Sequence, residues 1–249
     1  MQERRGRSDL PFILRRAWLP RSVAYNWAGI QTEAVRMEIT WYGLSCFRLS
    51  ERGLATVVTD PFPPDVGVAF TRPRGHVVTV SCGDPACSHT SGVRGPFRLL
   101  DGPGEYEIGG VFVTGIVTFA DGKKGATRGL NTVFTFRYSG VTVCHLGLLG
   151  HVPTQSQVER LDAVDVLLVP VGGHGSLTPA KASEVISLFE PSLVVPMNYK
   201  TKGLTVTLGT LTPFLKEMGL EKAETRETLK VVRSGLPEDT RIVVLEPKR

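Results

Sequence analysis

Val164-Asp165-Val166-Leu167-Leu168-Val169, then Thr178-Pro179 some residues on, then Leu193-Val194-Val195: this stretch decides the fold class. Its two outer segments are almost continuously apolar and rich in β-branched residues, as strands buried on both faces require. Between them Thr178 stands where a helix N-cap belongs and Pro179 at the first helical position, which predicts a helix over 178–189. Strand, helix, strand in close succession is the unit that builds a parallel sheet with helices against it, so the chain belongs to the α/β class.

Outward from this unit, the pattern from Met37 is one of short strands divided by Gly and Pro turns, with helices only in the second half. Strands are predicted at 37–42, 45–50, 54–59, 76–81, 105–109, 111–118, 131–138, 141–145, 164–169, 192–197, 229–233 and 240–245. Two further helices are predicted at 154–161, where Thr154 and Gln157 form a capping box, and at 209–218. No internal repeat or linker interrupts 37–249, so one domain with two sheets is the simplest account.

Composition bounds the function. With 249 residues, 41% hydrophobic and 21% charged, the chain can bury a sizeable core and is not disordered. No apolar run reaches the roughly 18 residues a bilayer span needs. Four cysteines make no disulfide scaffold and no signal peptide precedes them, so a reduced, cytoplasmic protein is expected. The net charge of +5 is carried mainly by residues 1–36, which hold seven Arg against Glu3, Asp9 and Glu33. The body is nearly neutral, and neither nucleic acid nor membrane is expected as a partner. Residues 1–36 read as a poorly ordered basic tail. A basic arm and an amphipathic segment (Phe12, Ile13, Leu14 and Trp18 beside Arg15 and Arg16) compete there with an early-called start ahead of Met37, and the last reading is preferred.

Three points gather side chains able to hold a metal. One is Ser81-Cys82-Gly83-Asp84-Pro85-Ala86-Cys87-Ser88-His89, another Cys144-His145-Leu146-Gly147-Leu148-Leu149-Gly150-His151, and the third Pro196-Met197-Asn198-Tyr199-Lys200-Thr201. Each ends or follows a predicted strand, and ligands bind beyond the carboxyl ends of strands in open α/β sheets. The spacing alone matches no structural zinc knuckle.

The body resembles the metallo-β-lactamase-fold hydrolases, in particular the small branch similar to L-ascorbate-6-phosphate lactonase. Thr40-Trp41-Tyr42-Gly43-Leu44-Ser45-Cys46-Phe47 with Thr59-Asp60-Pro61 is similar to that branch's TWxGHSCF and TDPF. Gly102-Pro103-Gly104-Glu105-Tyr106-Glu107 is similar to its GPGEYE, and the blocks at Cys144 and Pro196 to its CHLGD and PMHYKT. The resemblance implies a four-layer αβ/βα sandwich and a two-metal hydrolytic centre held by an SHxHxDH loop, a later His, an Asp and a last His.

Carried over residue by residue, most of that centre is missing. The loop ligands fall on Cys82, Asp84, Ala86 and Cys87, the later His on His145, the Asp on Leu148, the last His on Asn198, and the opening His on Leu44. Ala86 and Leu148 donate no lone pair, and a carboxamide is a poor zinc ligand beside imidazole, so the two-metal mechanism is lost. Cys82, Asp84 and His145, with Cys87 as a further donor, could still hold at most one zinc. The Asp that would orient an attacking water is gone, and a thiolate and a carboxylate leave a zinc-bound water less acidic than imidazoles would.

Three readings follow. The first is a degenerate family member that persists as a binding or scaffolding protein, with a small-molecule ligand as its expected partner. The second is a mononuclear zinc hydrolase of a lactone or ester using Cys82, Asp84 and His145. The third is a thiol-dependent protein using Cys82 or Cys87. No catalytic residue is identified; His145, Lys200 and His174 are the cleft candidates. Glu105 and Glu107 read as solvent-facing hairpin charges, and neither the substrate nor the oligomeric state is legible.

Overall fold

The computed structural model describes residues 36–248. The basic tail therefore lies outside the described residues, apart from Arg36. In chain order the strands are β1 Met37–Gly43, β2 Cys46–Ser50, β3 Val57–Thr59, β4 Val77–Thr79, β5 Arg98–Leu100, β6 Gly104–Ile108, β7 Val111–Phe119, β8 Leu130–Tyr138, β9 Val141–His145, β10 Val166–Pro170, β11 Leu193–Met197, β12 Glu224–Arg226, β13 Leu229–Val231 and β14 Arg241–Leu245. The helices are α1 Gln155–Val158, α2 Pro179–Phe189 and α3 Thr212–Glu217.

Two sheets form. The smaller runs β13-β1-β2-β3-β4-β5 and the larger β12-β14-β11-β10-β9-β8-β7-β6. In the larger sheet β6 to β9 are an antiparallel meander, and β9, β10, β11, β14 and β12 are parallel. The parallel half is the deciding stretch: every residue of β10 and β11 is buried. Thr178 accepts from Lys181 N at the start of α2, and the helix buries Ala182, Val185, Ile186 and Phe189. That spacing of three and four is one helix stripe, and each of the larger side chains contributes roughly 1.5–3 kcal/mol by leaving water.

One core fills the space between the sheets. Trp41, Phe47, Leu49 and Val57 of the smaller sheet join Val133, Phe134, Phe136 and Val143 of the larger. Tyr138 Oη crosses the gap to Ala55 O at 2.8 Å and Leu49 O at 3.2 Å, so its buried polar tip is satisfied.

The α/β sandwich is thus present, with differences in detail. Helices cover the larger sheet. Over the smaller sheet, among the described residues, a second apolar cluster of Tyr42, Leu44, Cys46, Val58, Phe62, Val66, Val78, Val93 and Leu204 is roofed by irregular segments and 3-10 turns at Pro64–Val66, Pro85–Cys87 and Thr90–Gly92. The strands foreseen at 54–59 and 76–81 shorten to three residues each, and β5 and β12 were not foreseen. β12 is exposed throughout and β5 at two of its three positions, so no apolar alternation marks them. The helix foreseen at 154–161 is a single turn, because none of its residues is buried and nothing repays a longer one.

Candidate functional site

Three strand ends and one hairpin turn meet. Thr132 N donates to Ser81 O (2.7 Å), tying the end of β4 to β8. Asn131, on β8, receives Leu148 N at 2.8 Å and donates to Leu146 O at 3.0 Å, which holds the end of β9 beside it. Gly147 makes this approach feasible: its φ is +60°, and a Cβ there would stand 2.5 Å from both Asn131 Oδ1 and Ser81 Cβ. Asn198, just past β11, donates its backbone N–H to Leu44 O in the β1–β2 turn at 3.0 Å. Both Leu44 and Asn198 sit at positive φ, 48° and 52°, a conformation that non-glycine residues adopt only where surrounding contacts enforce it.

Between these ends lies a hollow of 140 Å³ lined by Leu44, Ser45, Asp84, Arg128, Leu148 and Asn198, with Ala86, His174, Ser176 and the 206–208 loop closing it. The positions to which the resemblance assigns lost ligands, Ala86, Leu148 and Asn198, therefore do come together. A wider cavity of 700 Å³ opens beside it along Cys82, Gly83, Asp84 and Arg128. A 790 Å³ hollow at Thr40, Lys202, Glu246 and Lys248 contains none of these residues.

The surviving donors do not form a ligand shell. Cys82 and Cys87 turn to each other, Sγ to Sγ 2.8 Å, and pack with Leu148 as a small apolar cluster. The hydrogen bond between them lowers the Cys82 pKa and, with burial, raises that of Cys87. Asp84 is the N-cap of the 3-10 turn: it accepts from Ala86 N at 2.9 Å and pairs with Arg128 at 3.1 Å. Asp60, in the loop behind, is buried and accepts from Ser81 N (2.7 Å) and Ser81 Oγ (2.6 Å); burial, and then the nearby Cys82, push its pKa well up.

His145, a cleft candidate by its strand-end position, does not line this hollow. It is fully buried between the sheets, edge-on to Phe47 at 6.1 Å. A carbonyl can only accept, so Nε2 carries the proton and donates to Ser45 O at 2.8 Å; Nδ1 has no partner among the described residues. Burial outweighs the Ser45 bond and drops its pKa to about 4, so the ring is neutral at pH 7. Lys200 does not line the hollow either. Its ammonium donates to Leu204 O and Val206 O and so pins the loop that lines the hollow. His174 does line the hollow, at φ 48°.

Cys82, Asp84 and His145 thus point to three different partners, and among the described residues no three His, Cys, Asp or Glu side chains are grouped to hold a metal ion. His145 Nδ1, unprotonated in this tautomer, is an unpaired acceptor lone pair, and no second such group stands beside it among the described residues. The residues present do not fit the two-metal centre that the fold implies.

Sequence reasoning overlooked Arg128. Its guanidinium reaches 44 residues back to Asp84 and donates to His174 O at 2.9 Å, so a protein cation stands in the cleft. Asp121 aims it: the carboxylate accepts from the backbone N–H of Lys123, Gly125, Thr127 and Arg128 at 2.7–2.9 Å. Partial burial acts to raise its pKa, but the four amides prevail and hold it at about 2. The only hint in the sequence was an Asp opening a Gly-rich loop, a common turn signal. Replacing Asp121 by alanine is expected to speed hydrogen exchange of these four amides by about tenfold or more and to release Arg128 from Asp84. Unchanged exchange at Thr127 and Arg128 would mean that the loop is held by something else.

Two facing sheets with a cleft at their strand ends define the metallo-β-lactamase fold. The chain belongs to the beta-lactamase superfamily domain family, whose model matches residues 38–198. A Zn-dependent hydrolase of the metallo-beta-lactamase superfamily from Thermotoga maritima, known from its crystal structure, is 40% identical with a TM-score of 0.70, over 84% of this chain and 98% of that one. A metal-dependent hydrolase of Myxococcus xanthus is 28% identical over 86% of each chain. A metallo hydrolase from Ignicoccus hospitalis, at 18% identity and TM-score 0.59 over 86% of this chain and 97% of that one, shares the fold alone.

Proposed function

We propose that this chain is a metallo-β-lactamase-fold protein whose metal centre has eroded, and that it binds a small molecule in the Arg128 cleft without two-metal hydrolysis. One observation carries the reading. The ligand positions are taken by a Cys82–Cys87–Leu148 cluster, while Arg128 supplies the cation. A guanidinium offers planar, directional donors to a carboxylate or phosphate, but it neither generates hydroxide from water nor acts as a Lewis acid. The hollow of 140 Å³ suits a ligand group of few heavy atoms, well below the volume of a drug-sized site.

The second reading is a mononuclear zinc hydrolase of a lactone or ester, and the names of the relatives support its coarser part, metal-dependent hydrolysis. It needs Cys82, Asp84 and His145 to leave their present partners and converge. Metal analysis of the full chain, purified without chelator or metal-binding tag, separates the two. The first predicts substoichiometric zinc and an unchanged metal content in His145→Gln. Stoichiometric zinc that disappears in His145→Gln would overturn it in favour of the second.

A further inference from the structure

Four cysteines are present in the described chain, all free thiols, and they occupy two kinds of surroundings. Cys46 and Cys144 are fully buried in the sheets. Cys82 and Cys87 lie outside any strand, one on each side of Asp84, and their sulfurs are 2.8 Å apart. A disulfide bond measures about 2.05 Å, so closing the pair asks the sulfurs to approach by only about 0.8 Å. Gly83, between them, has no heavy atom within 4 Å of where a Cβ would be, which leaves the turn room to adjust. The two thiols also differ in access. Both are buried, but Cys82, 8% exposed, lines the 700 Å³ cavity, whereas Cys87, 1% exposed, sits behind it with its Sγ 3.3 Å from Cys82 O and 3.2 Å from Asp84 O.

We propose that Cys82 and Cys87 are a peroxide-responsive pair that closes to an intramolecular disulfide. Cys82, the member that lines the cavity, attacks one oxygen of hydrogen peroxide; the O–O bond breaks, and Cys82 becomes a sulfenic acid as hydroxide leaves and takes up a proton to become water. Cys87 then attacks Cys82 Sγ. The S–O bond breaks, an S–S bond forms, and the departing oxygen leaves as water with the Cys87 proton. Two thiols lose two electrons and one peroxide becomes two waters. Closure ties down both ends of the segment that carries Asp84, and Asp84 anchors Arg128, so the cleft cation answers to the redox state. This inference stands whether or not the cleft binds a small molecule.

The test uses the full chain, treated with hydrogen peroxide or dithiothreitol, then alkylated, denatured and digested with trypsin. Cleavage after Arg74 and Arg94 yields one peptide, 75–94, that contains both cysteines and no other. After peroxide this peptide is expected to lack both alkyl groups and to weigh two hydrogens less than the free dithiol, while Cys46 and Cys144 stay as thiols. In Cys87→Ser the sulfenic acid on Cys82 should accumulate and react with a 1,3-diketone probe; in Cys82→Ser, Cys87 should stay reduced. The wild-type digest needs no variant to fold. A peptide still doubly alkylated after peroxide, a sulfinic acid without disulfide, or bound zinc that protects both thiols would each overturn the proposal.

Discussion

Replacing Trp41 by alanine is expected to destabilise the protein by about 3–5 kcal/mol, the range for emptying a buried aromatic site. The denaturant midpoint should fall at an unchanged slope, and Trp41→Phe should lose clearly less. Trp41 is fully buried, with its ring 5.2 Å from that of Tyr199 and 6.3 Å from that of Phe47. Its indole Nε1 donates to Leu44 O at 3.0 Å, the same carbonyl that receives Asn198 N. Two donors on one oxygen hold Leu44 at its unfavourable φ, and Leu44 leads into Ser45, whose carbonyl receives His145. Truncation therefore opens a cavity and loosens the turn that lines the cleft. A midpoint within error of wild type would refute this role.

Acidification should cost at most about 3 kcal/mol of stability through His145 alone. An unperturbed histidine titrates near 6.5, whereas His145 in the fold titrates at about 4. Between those values the unfolded chain binds the proton and the native one does not, so stability is full above about pH 6.5 and falls as pH drops toward 4. The difference of about 2.5 units at 1.36 kcal/mol each sets the figure, an upper bound for a fully buried ring. Asp60 works in the opposite direction: its folded pKa is raised, so protonation as the pH falls favours the native state. The two are separated by comparing midpoints across pH 4–7 in wild type and His145→Gln. The variant should be less stable at pH 7, with the Ser45 bond altered, yet lose less on acidification. Parallel slopes would assign the acid sensitivity to other groups.

How much of this was legible depended on the kind of signal. The twelve foreseen strands all exist because buried strands announce themselves by apolar runs and turn residues, as Val166–Pro170 and Leu193–Met197 do. The meeting of three strand ends followed from the blocks that carried the resemblance, since those blocks stand at loops. Side-chain direction did not follow. A strand end can turn a residue toward the cleft or into the core, and His145 took the core while Leu148, three residues on, took the cleft. Lys200 likewise spends its charge on nearby carbonyls.

From its residues alone this chain determined its class and its two sheets, because hydrophobic period is a local property. Tertiary structure decided which thiols touch, which histidine is sealed from water and that Arg128 supplies the cation of the cleft. Those outcomes join positions far apart in the chain, and only packing two sheets against each other brings them within bonding distance.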